Sequence, residues 1–148
     1  MKIGDTIRRW LEEEGFYVRE LKDPKAEFNI EAKHANGLSV NILKPKGPTE
    51  VVLVVSKLIP AGRIREAISV MSARELEWLK DELVLRILSM PEVLAYIDGK
   101  LRHIVIQVPV FLEELSKPKI IRGVYSVLKA LNVATIVMKR ATGGGVNE

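Results

Sequence analysis

Apolar residues recur along this chain with two spacings, and the spacings sort it into elements. Ile3, Ile7, Trp10 and Leu11 fall three and four residues apart. That spacing predicts a helix over "DTIRRWLEEEG", with Asp5 as its cap and Gly15 as its left-handed stop. Phe16 and Val18 begin an extended stretch that "KDPK" ends as a turn. "AEFNIEAKH" then alternates, with Ala26, Phe28, Ile30 and Ala32 on one side and Glu27, Asn29, Glu31 and Lys33 on the other. A half-buried strand with one wet face has that pattern. Asn36-Gly37 is a hairpin turn. "LSVNILK" alternates again, with Leu38, Val40 and Ile42 inward, and "PKGP" turns the chain once more. "TEVVLVVSKLI" is different, because it is apolar on both faces from Val51 to Val55. Such a strand lies centrally in a sheet or meets another chain on its second face.

The second half returns to helical spacing. "AGRIREAISVM" predicts a short helix, and "SARELEWLKDELVLRIL" a longer one with Leu76, Leu79, Leu83, Ile87 and Met90 as its buried stripe. Ser72 and Glu75 have the three-residue spacing of a capping box, and Met71 and Leu76 are placed as its hydrophobic staple. Pro91 ends that helix. A hairpin follows, with Val93–Ile97 and Arg102–Val110 as its arms and Asp98-Gly99 as its turn. "SKPKIIRGVYSVLKALN" is the last long helix, capped by Ser116, with Pro118 in its first turn and Asn132 as its stop. Val133 to Lys139 is read as a final strand. The predicted order is α-β-β-β-α-β-β-α-β, an α+β domain whose antiparallel sheet carries helices mainly on one face. No linker or repeat divides the chain, so residues 1–140 are expected to form one domain and residues 141–148 a flexible tail.

Composition narrows the function classes. The chain has 148 residues and no cysteine, which removes disulfides, thiolate catalysis and cysteine-ligated metals. A chain of this length buries about 70% of its unfolded surface, so it needs no covalent staples. No run of about 18 uninterrupted apolar residues predicts a membrane span, and "MKIGDTIRRWLEEE" lacks a signal-peptide core. The expectation is a cytoplasmic protein. Dense charges of mixed sign with few Asn, Gln and Cys form a composition shared with thermophile proteins. The net charge of +4 is confined to one end. Residues 1–100 carry sixteen Lys/Arg against sixteen Asp/Glu, and residues 101–148 carry seven against three.

Each constellation that could carry chemistry has a structural explanation. Glu77, Asp81 and Glu82 lie among Arg74, Lys80 and Arg86 on the wet side of their helix. A carboxylate site would need sequestration to shift its pKa, so neither catalysis nor a metal is expected there. Glu12, Glu13 and Glu14 face Arg8 and Arg9 at helical spacing. His34 and His103 lack any paired metal-ligand spacing. "TGGG" is followed by no helix that could hold a phosphate. No serine has a nucleophile-elbow setting. Two features remain. One is the doubly apolar strand, whose Val51, Leu53 and Val55 are the candidate protein-binding surface. The other is a basic stripe, Lys119, Arg122 and Lys129 with Lys139 and Arg140 beyond it, a possible patch for an anion or nucleic-acid backbone.

The run "VVLVVSKLIPAGRIREAISVMSARELEWLKDELVLRILSMP", in which a strand leads through a turn into an S-x-x-E-x-x-x-L-x-x-E-L helix, resembles the type III secretion chaperone-like superfamily. It is similar above all to that group's uncharacterised archaeal members. The likeness covers residues 3–140 and rests on element order and apolar pattern. It implies a small dimer that binds other proteins, with no catalytic residues to carry over and no literal secretion role. The extra strand at Val133–Lys139 departs from the simplest chaperone pattern. Three functions therefore compete: a non-enzymatic, dimeric protein-binding module without a cofactor; a nucleic-acid-binding accessory protein using the basic C-terminal third; and an enzyme whose site no constellation reveals.

Overall fold

Alternating burial produces strands here, and burial at every third or fourth position produces helices. The computed structural model describes residues 2–143. Its elements are α1 (Ile3–Glu13), β1 (Tyr17–Glu20), β2 (Ala26–Lys33), β3 (Ser39–Pro45), β4 (Val51–Leu58), α2 (Gly62–Ser69), α3 (Ala73–Leu88), β5 (Leu94–Ile97), β6 (Ile104–Phe111) and α4 (Lys117–Thr142), with a 3-10 turn at Leu112–Glu114. The strands form one antiparallel six-stranded sheet in the order β1-β2-β3-β4-β6-β5. The expected α+β class and antiparallel sheet are present. The described residues form two compact units, one of residues 2–56 with Gln107–Leu128, the other of Lys57–Ile106 with residues 129–143.

In the first unit, β1 to β4 are a meander fixed by side-chain alternation. Ile30 pairs with Ile42 and Ala32 with Val40, and Ile42 pairs in turn with Val54. These residues are fully buried or nearly so, together with Val52 and Val108. Helices cover this inner face. The N-terminal half of α4 approaches it closely at Gly123, where an added Cβ would stand 3.4 Å from Val54 and 3.6 Å from Val108. Gly4 in α1 sits against the Phe28 ring, which an added Cβ would meet at 3.1 Å. A register shift between Ala26 and Phe28 marks a bulge in β2. Gly15 takes the left-handed conformation (φ 88°) read for it as the stop of α1. The cap assigned to Asp5 is corrected: α1 begins at Ile3 and Asp5 lies in its first turn, where a carboxylate favours the positive end of the helix.

In the second unit, Leu79, Leu83 and Ile87 of α3 are inaccessible to solvent, as are Ile104 and Ile106 of β6. Two readings change here. Val133–Lys139 is not a strand; α4 runs unbroken through Asn132 to Thr142. Its buried residues there, Ala130, Leu131, Ala134 and Met138, keep helical spacing. A lone asparagine inside a helix costs only about 0.7 kcal/mol relative to alanine, too little to stop one. Lys139 and Arg140 occupy the last turn, where cations suit the negative helix end, and Gly143 follows with φ 69°. Ala141 and Thr142 are thus helical, and residues 144–148 of the expected tail lie outside the described residues. The other change concerns the hairpin loop, which spans residues 98–103 rather than turning at Asp98-Gly99. Its left-handed residue is Leu101, at φ 54° and 2% exposed.

Candidate functional site

The sheet of the first unit has a second face, and its polarity changes from one side to the other. On β4 the burial alternates, so Val52, Val54 and Ser56 are buried while Val51, Leu53 and Val55 are half-buried on the opposite side. Strand pairing extends that row across neighbouring strands. Leu43 stands opposite Leu53 and Asn41 opposite Val55. Gln107, Pro109 and Phe111 of β6 are on this face by alternation, and Phe111 is 53% exposed. Leu43, Val51, Leu53, Val55, Pro109 and Phe111 therefore form an apolar half-face. The other half is polar and already satisfied. Arg19 donates to Glu31 at 2.9 Å, the Asn41 amide to Asn29 Oδ1 at 3.0 Å, and the Asn29 amide to Asp23 at 3.1 Å. The sequence revealed the β4 part because five consecutive residues there are apolar. Leu43, Pro109 and Phe111 were missed because their strands alternate, and only the order of strands in the sheet brings them beside β4.

The other residues singled out from the sequence are tied into local structure. Ser72 and Glu75 form the capping box: the Glu75 amide donates to Ser72 Oγ at 3.1 Å and the Ser72 amide to Glu75 at 3.0 Å. The bond from the Ser72 backbone holds the Glu75 carboxyl below its ordinary pKa. Glu77 pairs with Lys80 at 3.0 Å and Glu82 with Arg86 at 3.8 Å. Glu12 pairs with Arg8, as expected, whereas Glu13 and Glu14 meet Lys117 at 3.4 and 3.5 Å. His34 lies in an aromatic cluster, its ring 5.7 Å from Phe16 and 6.2 Å from Tyr125. His103 lies against Tyr96, the rings tilted by 34° with centroids 5.8 Å apart. Among the described residues, no group of three His, Asp or Glu is placed to hold a metal ion.

One depression, of about 810 Å³, opens between the start of α1 and β2. Two of its carboxylates are engaged, Glu20 by Arg8 and Glu27 by Lys44. Lys44 is 7% exposed, and Glu27 stands 3.1 Å from its Nζ, the pairing that a buried charged side chain requires. The loop aspartate Asp98 is 5% exposed and receives the Arg102 guanidinium at 2.9 and 3.0 Å and the Arg102 amide at 3.0 Å. The guanidinium and then the amide hold its carboxyl far below the usual range. This tie also explains the buried left-handed Leu101, because Asp98 organises the loop around it.

The basic stripe is divided between the units. Lys119, in the first, pairs with Glu114 at 3.6 Å, and Arg122 is exposed. Lys129, Lys139 and Arg140, in the second, are exposed on α4. By length and composition α4 could cross a membrane, and 44% of its most apolar window is buried within the protein.

A family of uncharacterized conserved proteins matches residues 3–138. The chain belongs to that family, DUF2299. Among solved structures, a crystal structure of an uncharacterized protein from Methanothermobacter thermautotrophicus is similar to this DUF2299 chain. The TM-score is 0.83 at 18% identity, covering 94% of this chain and 98% of that one. At that identity the likeness is one of fold. No curated protein matches.

Proposed function

We propose that this protein is a non-enzymatic, cytoplasmic protein-binding module that works as a homodimer through the apolar half of its open sheet face. The observation that supports this most is the row of Leu43, Leu53, Val51 and Val55, half-buried on the sheet face opposite the one against which α1 and α4 pack. Burying one such side chain fully is worth about 1.5–3 kcal/mol. Covering the row in two chains at once is a sizeable driving force, less the freedom lost on association. A second copy suits the face because an apolar patch beside a polar half that is paired within itself is complementary to its own image about a two-fold axis. The resemblance to chaperone-like proteins agrees with this reading, since such proteins are small dimers that hold other proteins.

Light scattering on the intact chain and on Leu53→Lys tests it. The expected result is a dimer at tens of micromolar that Leu53→Lys converts to a folded monomer. An intact chain that is monomeric at that concentration overturns the reading. A dimer that Leu53→Lys leaves unchanged moves the interface elsewhere.

A further inference from the structure

The second unit carries a groove that the sheet face does not explain. We propose that the groove between α3 and the last turns of α4 docks an acidic, amphipathic helix of a partner protein. Its floor is Trp78 of α3 with Val133, Ile136 and Val137 of α4. Trp78 is 57% exposed and Ile136 49%. Two adjoining depressions of about 440 and 330 Å³ share Trp78 and Ala141, so the groove is continuous past the tryptophan. Along α3 it extends from Arg74 to Arg86, about 18 Å of helix, which matches roughly three turns of a guest.

Charge selects the guest. The rim holds Arg74, Arg86 and Arg140. Its two glutamates are Glu75, a carboxylate bonded to the uncharged Ser72 amide, and Glu82, which offsets Arg86, so three arginines against two carboxylates leave the lining a net charge of +1 that lies toward Arg74 and Arg140. Among the described residues, neither Arg74 nor Arg140 has an acidic partner. The surface thus presents an aromatic and aliphatic floor inside a cationic rim, and tryptophan and arginine are the residues that most often dominate binding energy at interfaces. The walls select a helix. Both are helices whose backbone groups are bonded internally, so an extended guest would find no ladder to join, whereas a helical guest satisfies its own backbone. The aliphatic floor fits leucine and isoleucine side chains at the i, i+3, i+7 positions of such a guest.

The test uses Trp78 as reporter in a Trp10→Phe background, since Trp10 is the chain's other tryptophan. The probe is a capped synthetic helix of about four turns with leucines at i, i+3 and i+7 and glutamates flanking them. Its control keeps the leucines and replaces every glutamate with lysine. The Trp78 emission is expected to shift to the blue and saturate, with the acidic helix bound at least about tenfold more tightly than the basic one. Arg86→Glu with Arg140→Glu is expected to erase that preference, and both side chains are exposed enough for the double variant to fold. If Trp10→Phe disturbs the fold, amide-shift mapping of Trp78 and Ile136 in the unsubstituted protein reads the same event. No saturation at millimolar peptide, or equal affinity for both helices, overturns the proposal. So does saturation by a single-stranded oligonucleotide at the same concentrations. A chain ending at Gly143 whose Trp78 emission moves to the red without peptide would show that the terminal segment fills the groove. A blue shift that grows with protein concentration alone would assign it to a second copy, and either result also overturns the proposal.

Discussion

Two single residues carry testable weight. Ser72 caps α3, and replacing it with alanine leaves the Glu75 amide without its acceptor and Glu75 without its reciprocal role. Ser72→Ala is expected to cost about 0.5–2 kcal/mol in urea unfolding; an unchanged midpoint would mean that the helix start contributes nothing. This cap was legible in the sequence because its signal is a fixed three-residue spacing. Asp98 was not, because the Asp-Gly pair reads as a tight turn when only local spacing is considered. What decides the loop is the reach of Arg102 back to Asp98 and the burial of Leu101, and both are tertiary. Asp98 has a folded-state pKa depressed from 3.8, so its stabilisation is fully present above that unfolded value and is lost as pH falls toward the folded one. Asp98→Asn is therefore expected to lower Tm at pH 7, and the gap from the unsubstituted protein should narrow below about pH 4. A gap that stays constant down to pH 2 would show that the charge is not what stabilises the loop.

At the scale of elements, alternation located β2 and β3 correctly because each has one core face, a constraint written in every second residue, whereas β4 was read from its unbroken apolar run. The end of α4 was misread because Val133, Thr135, Ile136 and Val137 are β-branched, and strand propensity outweighed spacing. Ala130, Ala134 and Met138 were the signal that could have corrected it, since they keep one face of a helix. Asn132 is exposed in mid-helix, so Asn132→Ala is expected to raise stability by about 0.5 kcal/mol; a loss would restore its role as a stop. Two glycines give a sharper contrast, because their surroundings differ. At Gly123 an added methyl meets Val54 and Val108 in ordinary contact, so Gly123→Ala should gain about 0.5–1 kcal/mol from helix propensity. At Gly4 the same methyl would be 3.1 Å from the Phe28 ring, and Gly4→Ala should lose about 1 kcal/mol. Paired thermal melts that move in the same direction would contradict this account of how each helix meets the sheet.

For the whole molecule, two surfaces differ in physical character, one in each compact unit. The apolar half-face around Leu43, Leu53 and Val55 lies in the part of the sequence where charges balance. The groove at Trp78 takes Arg140 from the basic C-terminal third. The sequence showed only fragments of each, the valine run of the first and Arg140 of the second. Each surface is completed by residues from another element, Pro109 and Phe111 on β6 for the face and Trp78 on α3 for the groove. Their responses to salt should therefore diverge. Association through branched apolar side chains has no charge to screen, and excluded salts such as sulfate strengthen burial. Binding at a rim where Arg74 and Arg140 leave a net positive charge depends on attraction that added ions weaken, since the screening length falls from about 10 Å at 0.1 M to about 3 Å at 1 M. The dimer's dissociation constant is expected to change less than about threefold between 0.1 and 1 M sodium chloride and to tighten in sulfate. Sedimentation equilibrium across that range measures it. A self-association that weakens steeply with salt would place the basic surface, and not the apolar sheet face, at the contact between copies.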